Sequence, residues 1–347
     1  MPRRLILAGL GDLVFEHYED EVVGPREVLL ESVWSGVSAG TELQIYKGTA
    51  PRFGNRWDPE SRLLVPRNAS DALFPVELGY ETVARVVSIG EGVTGFSLGD
   101  IFWLDAPHRE THKISVDQPP PHRKFSGGID PRHAVFYPLT RVALGAVHDA
   151  APLVGDSVAV YGAGTVGLLC AQIYKRAGAR EVFVVDSNDE RLLLAANMGM
   201  TTINSETTDP VRSIKQECGG TDSVIEATGT YSALERALKT ATVGGKVVAV
   251  SSYGNQTAGL TLGHEFHRNR ITLQSSMTIN DCPHPNAPRW NLERLNDEAS
   301  LLIEKGNLQL EELAKNEFRF SEARDVYRLL AETKSAPAKI LFNYTAN

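Results

Sequence analysis

The run Ser157-Val-Ala-Val-Tyr-Gly-Ala-Gly-Thr-Val-Gly167 joins a short apolar segment to a glycine-rich turn. The apolar segment is typical of a buried strand, and residues 168–178 have the length and spacing of a helix. A second apolar segment at 181–185 is typical of the next strand. Strand, glycine turn, helix and strand in this order predict a βαβ unit with two parallel strands.

Strand and helix patterns continue on the C-terminal side of this unit. Apolar segments at 223–226, 245–251 and 271–274 predict further buried strands, and residues 231–240 predict a helix between two of them. We therefore predict an α/β fold with a doubly wound parallel sheet, the Rossmann arrangement, for residues 136–283.

Three glycines form the pattern G-x-G-x-x-G between the first strand and its helix. Gly162 permits the tight turn, Gly164 lets backbone N–H groups approach a pyrophosphate, and Gly167 lets the helix pack on the strand. Asp186 ends the next strand, about 20 residues further on, where a carboxylate accepts hydrogen bonds from an adenosine ribose and repels a 2′-phosphate. The pattern predicts binding of NAD rather than NADP, and the alternative is a glycine-rich turn that binds nothing. The predicted cofactor-binding residues are Gly162, Gly164, Thr165, Val166, Gly167, Asp186, Arg191, Thr228 and Ser251.

Residues 1–135 have a different pattern, with short β-rich runs separated by glycine and proline. The runs at 27–34 and 81–89 are too short for helices and predict a small, mostly antiparallel β domain. The polar stretch 49–75 and the prolines at 119–121 predict long surface loops.

Length and charge narrow the class of protein. A chain of 347 residues is long enough for roughly two domains of the usual ~150 residues. The net charge of −8 argues against a general nucleic-acid or acidic-membrane surface. The 42% hydrophobic and 22% charged residues are typical of a globular rather than a disordered chain. We expect a small-molecule substrate as the partner.

The cysteines and the first residues of the sequence predict the cellular compartment of the protein. Cys170, Cys218 and Cys282 are odd in number and widely spaced, so they predict neither a disulfide framework nor a cysteine-rich zinc module. The first apolar run is interrupted by Gly9 and followed by Asp12, unlike a signal peptide. No apolar stretch approaches the ~20 residues of a membrane span. We expect a soluble, cytoplasmic protein.

Several motifs resemble the medium-chain dehydrogenase/reductase superfamily, which includes zinc alcohol, polyol and threonine dehydrogenases and zinc-free relatives. The resemblance covers almost the whole chain. It implies a GroES-like β domain of residues 1–135 completed by 284–347, with the nucleotide domain inserted between, and a homodimer. The motifs are Ala39-Gly-Thr-Glu-Leu-Gln-Ile-Tyr46, Leu78-Gly-Tyr-Glu81, the run 86–100 that ends in Gly99-Asp100, the glycine loop, and Glu226-Ala-Thr-Gly229.

The zinc ligands of the family are missing. Zinc members carry Cys where this chain has Ala39, His where it has Tyr80, and commonly an acid or Cys near Tyr137. Alanine has no ligand atom, a phenol is a poor zinc ligand beside thiolate and imidazole, and Glu81 alone cannot hold the ion. The structural zinc lobe expected after Gly99-Asp100 is also missing. We therefore predict no metal.

His108 and His112 form the other candidate metal pair, because a spacing of four residues places both on one face. The resemblance places them on a strand of the β domain. Solvated or hydrogen-bonded histidines are therefore favoured over ligands.

Without a metal, side chains must handle the hydroxyl proton. The resemblance implies that Thr41 is the hydroxyl that hydrogen-bonds the substrate oxygen. Tyr80 is predicted to be a general acid/base if a nearby cation lowers its pKa, and Glu81 is predicted to orient either residue. The alternatives are that Thr41 caps a helix turn, Tyr80 fills the vacated cavity and Glu81 is a structural acceptor. Weaker candidates are Glu42, Tyr46, Tyr137, His148 and the charged stretch 264–270.

Together these features predict a zinc-independent, NAD-dependent oxidoreductase that moves a hydride between NAD(H) and a secondary alcohol or ketone of a sugar, cyclitol or other specialised metabolite. The stretch 38–42 is similar to bacteriochlorophyllide a dehydrogenase, which oxidises a secondary hydroxyl. Two alternatives stay open, an NAD(P)H-dependent quinone or enoyl reductase and a non-catalytic NAD-binding protein. The arginines predicted to contact a polar substrate are Arg52, Arg56, Arg62 and Arg67.

Overall fold

A computed structural model describes residues 1–19, 22–68, 73–254, 258–277, 290–333 and 336–345. The strands are β1 (Arg3–Gly9), β2 (Asp12–His17), β3 (Glu27–Val37), β4 (Asn55–Asp58), β5 (Leu63–Pro66), β6 (Val76–Glu77), β7 (Thr82–Ile89), β8 (Ile101–Leu104), β9 (Thr111–Ser115), β10 (His122–Phe125), β11 (Ser157–Tyr161), β12 (Glu181–Asp186), β13 (Thr201–Asn204), β14 (Thr221–Glu226), β15 (Ala241–Ala249), β16 (Thr272–Ser275), β17 (Glu317–Arg319) and β18 (Ile340–Asn343). The α-helices are α1 (Ala39–Tyr46), α2 (Pro131–Ala134), α3 (Tyr137–Ala150), α4 (Thr165–Arg176), α5 (Asp189–Asn197), α6 (Pro210–Cys218), α7 (Tyr231–Thr240), α8 (Glu265–Arg268), α9 (Leu292–Glu304) and α10 (Ala323–Glu332).

Contacts along the chain divide it into two compact units. The first unit comprises Met1–Phe136 and Ala314–Asn347, and the second comprises Tyr137–Leu313. The predicted return of the chain to the first unit at residue 284 lies outside the described residues. Helix α9, which falls within the predicted range 284–347, packs on α3 of the second unit.

The second unit contains a six-stranded parallel sheet in the order β13-β12-β11-β14-β15-β16. All five residues of the central strand β11 are buried, as expected for a parallel strand covered by helices on both faces. Ala159 and Tyr161 pack in a core with residues of α6 and α7, while Val158 and Val160 alternate to the other face. The chain order reverses direction beside β11, so the prediction of a doubly wound α/β fold is confirmed.

The first unit is a β domain whose main sheet follows the order β10-β8-β7-β3-β18-β17, with β9 also paired to β3. Strand β18 pairs antiparallel with β3, so that Phe342 lies opposite Ser35. A core that includes Leu5, Val37, Tyr327 and Phe342 fills the space between this sheet, the small sheet β2-β1-β6 and α10. The C-terminal residues therefore supply both a strand and part of the core of this unit.

The stretch 49–75 differs from the predicted loop in its described part. Strands β4 and β5 form an antiparallel hairpin in which Trp57 lies opposite Leu64. Both side chains are exposed, so the hairpin has no buried face to give a clear hydrophobic pattern in the sequence. None of the helices in the described ranges combines the length and hydropathy that crossing a bilayer requires.

Candidate active site

Three hydroxyl groups meet where α1 begins. The Ser38 Oγ atom lies 2.5 Å from the Tyr80 phenol oxygen, and the Thr41 side chain also hydrogen-bonds this phenol. Ser38 is buried, whereas Thr41 lies exposed in the first turn of the helix. The structure thus brings together Thr41 and Tyr80, two of the three predicted catalytic residues, and adds Ser38. Ser38 belongs to the stretch 38–42 quoted above, but no catalytic role was predicted for it from the sequence.

The start of α1 explains why the Ser38 hydroxyl is available. Ser38 occupies the N-cap position, where serine usually accepts a hydrogen bond from a backbone N–H of the first turn. Its side chain makes no such bond here. The Thr41 N–H bonds the Ser38 carbonyl oxygen at 2.9 Å instead, and Glu42 Oε1 reaches back to accept the Ser38 N–H at 2.7 Å.

Glu42 is held in a buried network. Its Oε2 atom accepts hydrogen bonds from His108 Nε2 at 3.0 Å and from the Tyr327 hydroxyl, and His108 Nδ1 lies 2.7 Å from Ser35 Oγ. Burial by itself raises the pKa of the Glu42 carboxyl, but His108, Tyr327 and the Ser38 N–H outweigh burial and hold the pKa below its usual value. Glu42 is therefore an ionised, fixed acceptor on the buried side of α1.

Glu81 forms a second buried acidic centre. Its carboxylate is paired with the ammonium group of Lys339, which also donates to Val37 O at 3.1 Å. Both side chains are buried, and a Cβ on Gly36 would lie 2.7 Å from Lys339 Cε, so this position has no room for a side chain. Burial raises the pKa of Glu81 to about 7, although Lys339 opposes the shift.

The predicted role of Glu81 differs from the observed contacts. Its carboxylate bonds Lys339 rather than Thr41 or Tyr80, and its other oxygen has no hydrogen-bond partner among the described residues. Lys339 was missed because 258 positions separate it from Glu81. The available signal was a lysine directly before the apolar run Ile340-Leu-Phe342.

The electrostatics of Tyr80 also differ from the expectation. Burial raises the pKa of the Tyr80 phenol, and the charges of Glu81 and Glu42 raise it further, although its two hydroxyl neighbours act in the opposite direction. A nearby cation was expected to lower this pKa, but the buried ammonium group of Lys339 is paired with Glu81. Tyr80 therefore keeps its proton at neutral pH and is a proton donor.

The donor atoms around Tyr80 do not fit a catalytic zinc ion. Ala39 offers no ligand atom, the phenol is bonded to Ser38, and Glu81 has a single oxygen to spare. Catalytic zinc sites use three protein ligands drawn from cysteine, histidine and carboxylate. Among the described residues near Tyr80, this set is not present.

The lesser candidates have structural partners. Tyr46 packs against Tyr327 with ring centroids 5.9 Å apart, and His148 packs against Trp290 with the ring planes tilted by 57° and the centroids 4.3 Å apart. Tyr137 is buried at the start of α3. The stretch 264–270 contains α8.

His108 and His112 are hydrogen-bonded rather than arranged as a metal pair. His112 Nε2 lies 3.1 Å from Ser32 Oγ, and burial lowers the pKa of His112 to about 3. His108 bonds Glu42, as described above. Of the interpretations drawn from the sequence, the hydrogen-bonded one therefore holds for both.

The glycine loop in the second unit has the geometry that its pattern predicts. Gly162 has a φ of +101°, a backbone conformation that would be strained in a residue with a side chain. A Cβ on Gly167 would lie against the Gly162 carbonyl oxygen, so the close approach of helix and strand requires glycine. Nothing lies within 4 Å of a Cβ built on Gly164, and no side chain caps α4, which begins at Thr165. The partly exposed start of this helix, with Val166, is open to an anionic group.

Asp186 is anchored at the end of β12. Its Oδ2 atom accepts the N–H of Ala163 in the glycine loop at 2.6 Å, and its Oδ1 atom accepts those of Ser187 and Asn188 at 2.8 and 2.9 Å. The guanidinium group of Arg191 lies 3.9 Å away. These bonds fix the carboxylate beside the loop, where a ribose is expected.

The remaining cofactor residues follow the neighbouring strands. A Cβ on Gly162 would lie 3.1 Å from Thr228 Cγ2, and one on Gly229 would lie 3.4 Å from Ser251 Cβ. Glu226, which the sequence analysis did not select, is fully buried and accepts the Thr228 N–H at 2.7 Å. The predicted set thus gathers at the carboxyl ends of β11, β12, β14 and β15, where doubly wound sheets bind their ligands.

Comparisons with known proteins agree with this architecture. The family model for zinc-binding dehydrogenases matches residues 165–295. D-guloside 3-dehydrogenase of Escherichia coli (strain K12) is 30% identical over 318 residues, which cover 89% of this chain and 90% of the relative. (R,R)-butanediol dehydrogenase of Bacillus subtilis (strain 168) is 27% identical, with 76% and 79% covered. The crystal structure of 2R,3R-butanediol dehydrogenase from Bacillus subtilis superposes with a TM-score of 0.78 at 21% identity and covers 99% of both chains.

Proposed function

Because the chain belongs to the zinc-binding dehydrogenase family, it is an oxidoreductase of the medium-chain alcohol dehydrogenase type, and we propose that it moves a hydride between NAD(H) and a secondary alcohol or ketone without zinc. The substrate class that we propose is a sugar, a cyclitol or a related glycoside. One relative that matches 89% of this chain is a D-guloside 3-dehydrogenase, whose name describes oxidation at position 3 of a glycoside.

The hydroxyl cluster of Ser38, Thr41 and Tyr80 supports this proposal most directly. Tyr80 stands where zinc members of the family have a ligand, and its phenol is held by two hydroxyl groups instead of a metal. A positioned phenol is a general acid/base for the oxygen of an alcohol or ketone. In this position it replaces the charge stabilisation that a Lewis acid would give.

The chain's own residues handle the proton. NAD(H), when bound, accepts or supplies the hydride. In ketone reduction, Tyr80 donates its proton to the carbonyl oxygen as the carbon receives the hydride, and the phenolate then regains a proton from solvent through the exposed Thr41 hydroxyl. In alcohol oxidation, the phenolate takes the hydroxyl proton as the carbon loses the hydride.

Asp186 supports NAD over NADP. Three backbone N–H groups fix its carboxylate beside the glycine loop. A fixed negative charge accepts hydrogen bonds from the ribose hydroxyls and repels a 2′-phosphate.

The test compares Tyr80→Phe with Tyr161→Phe. Tyr161 is a matched control because its buried hydroxyl lies 2.7 Å from Thr240 Oγ1, outside the proposed site. The protein is purified, its metal content is measured, and polyols and glycosides are screened for reduction of NAD and NADP. We expect Tyr80→Phe to lower kcat about 10²–10⁴-fold, the usual contribution of a general acid/base, and the control to leave kcat unchanged.

Three outcomes would contradict the proposal. Activity that depends on stoichiometric zinc would refute the metal-free mechanism. NADPH-dependent reduction of an enone without alcohol oxidation would assign the chain to the quinone or enoyl reductases. A Tyr80→Phe variant as active as the wild type would remove the phenol from the mechanism.

A further inference from the structure

The Ser38 hydroxyl makes no helix-capping hydrogen bond, although Ser38 is the N-cap residue of α1. As the N-cap residue of α1 it would ordinarily accept a backbone N–H of the first turn, but its side chain makes no such bond, and the Thr41 N–H bonds the Ser38 carbonyl oxygen at 2.9 Å instead. The hydroxyl points instead to the Tyr80 phenol oxygen, 2.5 Å away.

The backbone of Ser38 is fixed on both sides. On its N-terminal side, β3 ends at Val37, whose carbonyl oxygen accepts a bond from Lys339. On its C-terminal side, Glu42 is clamped by His108 and Tyr327, both fully buried. A buried carboxylate with several donors cannot shift without losing them, so the Ser38 Oγ atom keeps its place.

The number of protons available to Tyr80 determines which group donates in the hydrogen bond between Ser38 and Tyr80. When Tyr80 donates its only proton to a substrate oxygen, its own oxygen can act only as an acceptor toward neighbouring hydroxyls. Ser38 and Thr41 then both donate to it, and a phenolate left after proton transfer has two donors in place. Hydrogen bonds to a charged oxygen are roughly twice as strong as those to a neutral one.

We propose that Ser38 is a positioning residue for Tyr80, which holds the phenol by a hydrogen bond and stabilises the phenolate, and that Glu42 fixes the Ser38 backbone for this task. This inference rests on the proposed function. The two neighbours have different roles. Thr41 is exposed and exchanges the proton with water, whereas Ser38 is buried and keeps the oxygen in place.

The first test uses Ser38→Ala, Ser38→Thr and the control Ser32→Ala. Ser32 is also a buried serine of the first unit, and its hydroxyl donates to Arg109 O at 2.6 Å, outside the proposed site. We expect Ser38→Ala to lower kcat about 10–100-fold and to move the rising limb of the pH profile for oxidation to higher pH by about one to two units, because a donor to a charged oxygen is lost. Ser38→Thr keeps the hydroxyl and is expected to restore both values.

The second test places Ser38→Ala in the Tyr80→Phe background. If Ser38 acts through the phenol, the second substitution adds nothing to the first, because residues that act as one unit are not additive. An independent, additive loss of kcat would overturn the proposal. So would a pH profile that Ser38→Ala leaves unchanged, or one that Ser32→Ala shifts equally.

The third test does not depend on catalysis. In protein with ¹³Cζ-labelled tyrosine, the Tyr80 resonance is assigned from its absence in Tyr80→Phe. We expect Ser38→Ala to shift this resonance and Ser38→Thr to restore it, while Ser32→Ala leaves it in place. If the wild type oxidises no alcohol, the proposed function fails, yet this measurement still decides whether Ser38 holds the phenol. A resonance that Ser38→Ala does not move would refute the proposal.

Discussion

Lys339→Met removes the positive half of the buried pair in the first unit. The side chains of Lys339 and Glu81 are 1% and 0% exposed, and the Glu81 oxygen that does not face Lys339 has no partner among the described residues. The substitution therefore leaves a buried carboxylate without a single hydrogen bond to its side chain. Breaking a buried pair from one side costs about 3–5 kcal/mol.

The pKa of Glu81 determines how the cost of this substitution depends on pH. Burial raises this pKa from 4.5 to about 7 even with Lys339 present. Because the folded pKa lies above the unfolded one, the contribution of Glu81 to stability is fully present below about pH 4.5 and is lost as the pH rises through 7. Lys339→Met raises the pKa further, so its cost is small near pH 5 and large near pH 8.

The assay is urea unfolding near pH 5 and pH 8, followed by tryptophan fluorescence, since Trp34, Trp57 and Trp103 all lie in the first unit. The double variant Glu81→Gln/Lys339→Met carries no charge at either position of the pair and is expected to recover most of the loss. Lys124→Met is the matched control, because Lys124 pairs with Asp100 at the surface and such pairs contribute about 0–1 kcal/mol. A loss below about 1 kcal/mol at pH 8, or a double variant no more stable than Lys339→Met, would refute the reasoning.

Three further predictions concern the cofactor loop and the phenol. Asp186→Ala is expected to reduce the ratio of kcat/KM with NAD to that with NADP about 10–100-fold, because hydrogen bonds to a charged acceptor contribute about 1.5–3 kcal/mol; an unchanged ratio would contradict this. Gly167→Ala is expected to lower Tm because its Cβ meets the Gly162 carbonyl oxygen, whereas Gly164→Ala, with nothing within 4 Å, should keep Tm and weaken only NAD binding; equal Tm losses would count against this. Finally, kcat for alcohol oxidation should rise with pH while kcat for ketone reduction stays level up to about pH 10, because burial raises the pKa of Tyr80 above its usual value and only oxidation needs the phenolate; a level profile for oxidation, or a reduction rate that falls well below pH 10, would contradict this assignment.

The second unit was the easier one to predict from sequence because its signals are local. A buried strand, a glycine turn and a helix follow one another within 157–178, and the structure reproduces β11 with the predicted bounds. Asp186 follows at a fixed distance along the same unit. Contacts between neighbours in sequence leave a periodic pattern, and such a pattern can be recognised without knowing the rest of the fold.

The candidate site in the first unit was predicted only in part because its contacts join distant residues. Thr41 and Tyr80 were found from their motifs, but Lys339 and Tyr327 reach the site from positions 258 and 285 residues away from their partners. A single buried charge or hydroxyl leaves no periodic pattern in the sequence, and the lysine before the apolar run 340–342 does not by itself indicate its partner. Glu81 was therefore predicted to be catalytic and Glu42 only a weaker candidate. The tertiary contacts show instead that Glu42 bonds the Ser38 N–H, whereas Glu81 faces Lys339.

The pairing of β18 with β3 has a consequence for the order of synthesis. The residues of the second unit, 137–313, leave the ribosome before Lys339 and β18 do. A nascent chain can complete its nucleotide-binding sheet while the earlier β domain still waits for its last strand, and until then Glu81 lacks its counter-ion. The β domain, whose first 136 residues are synthesised before the second unit, is thus completed after it.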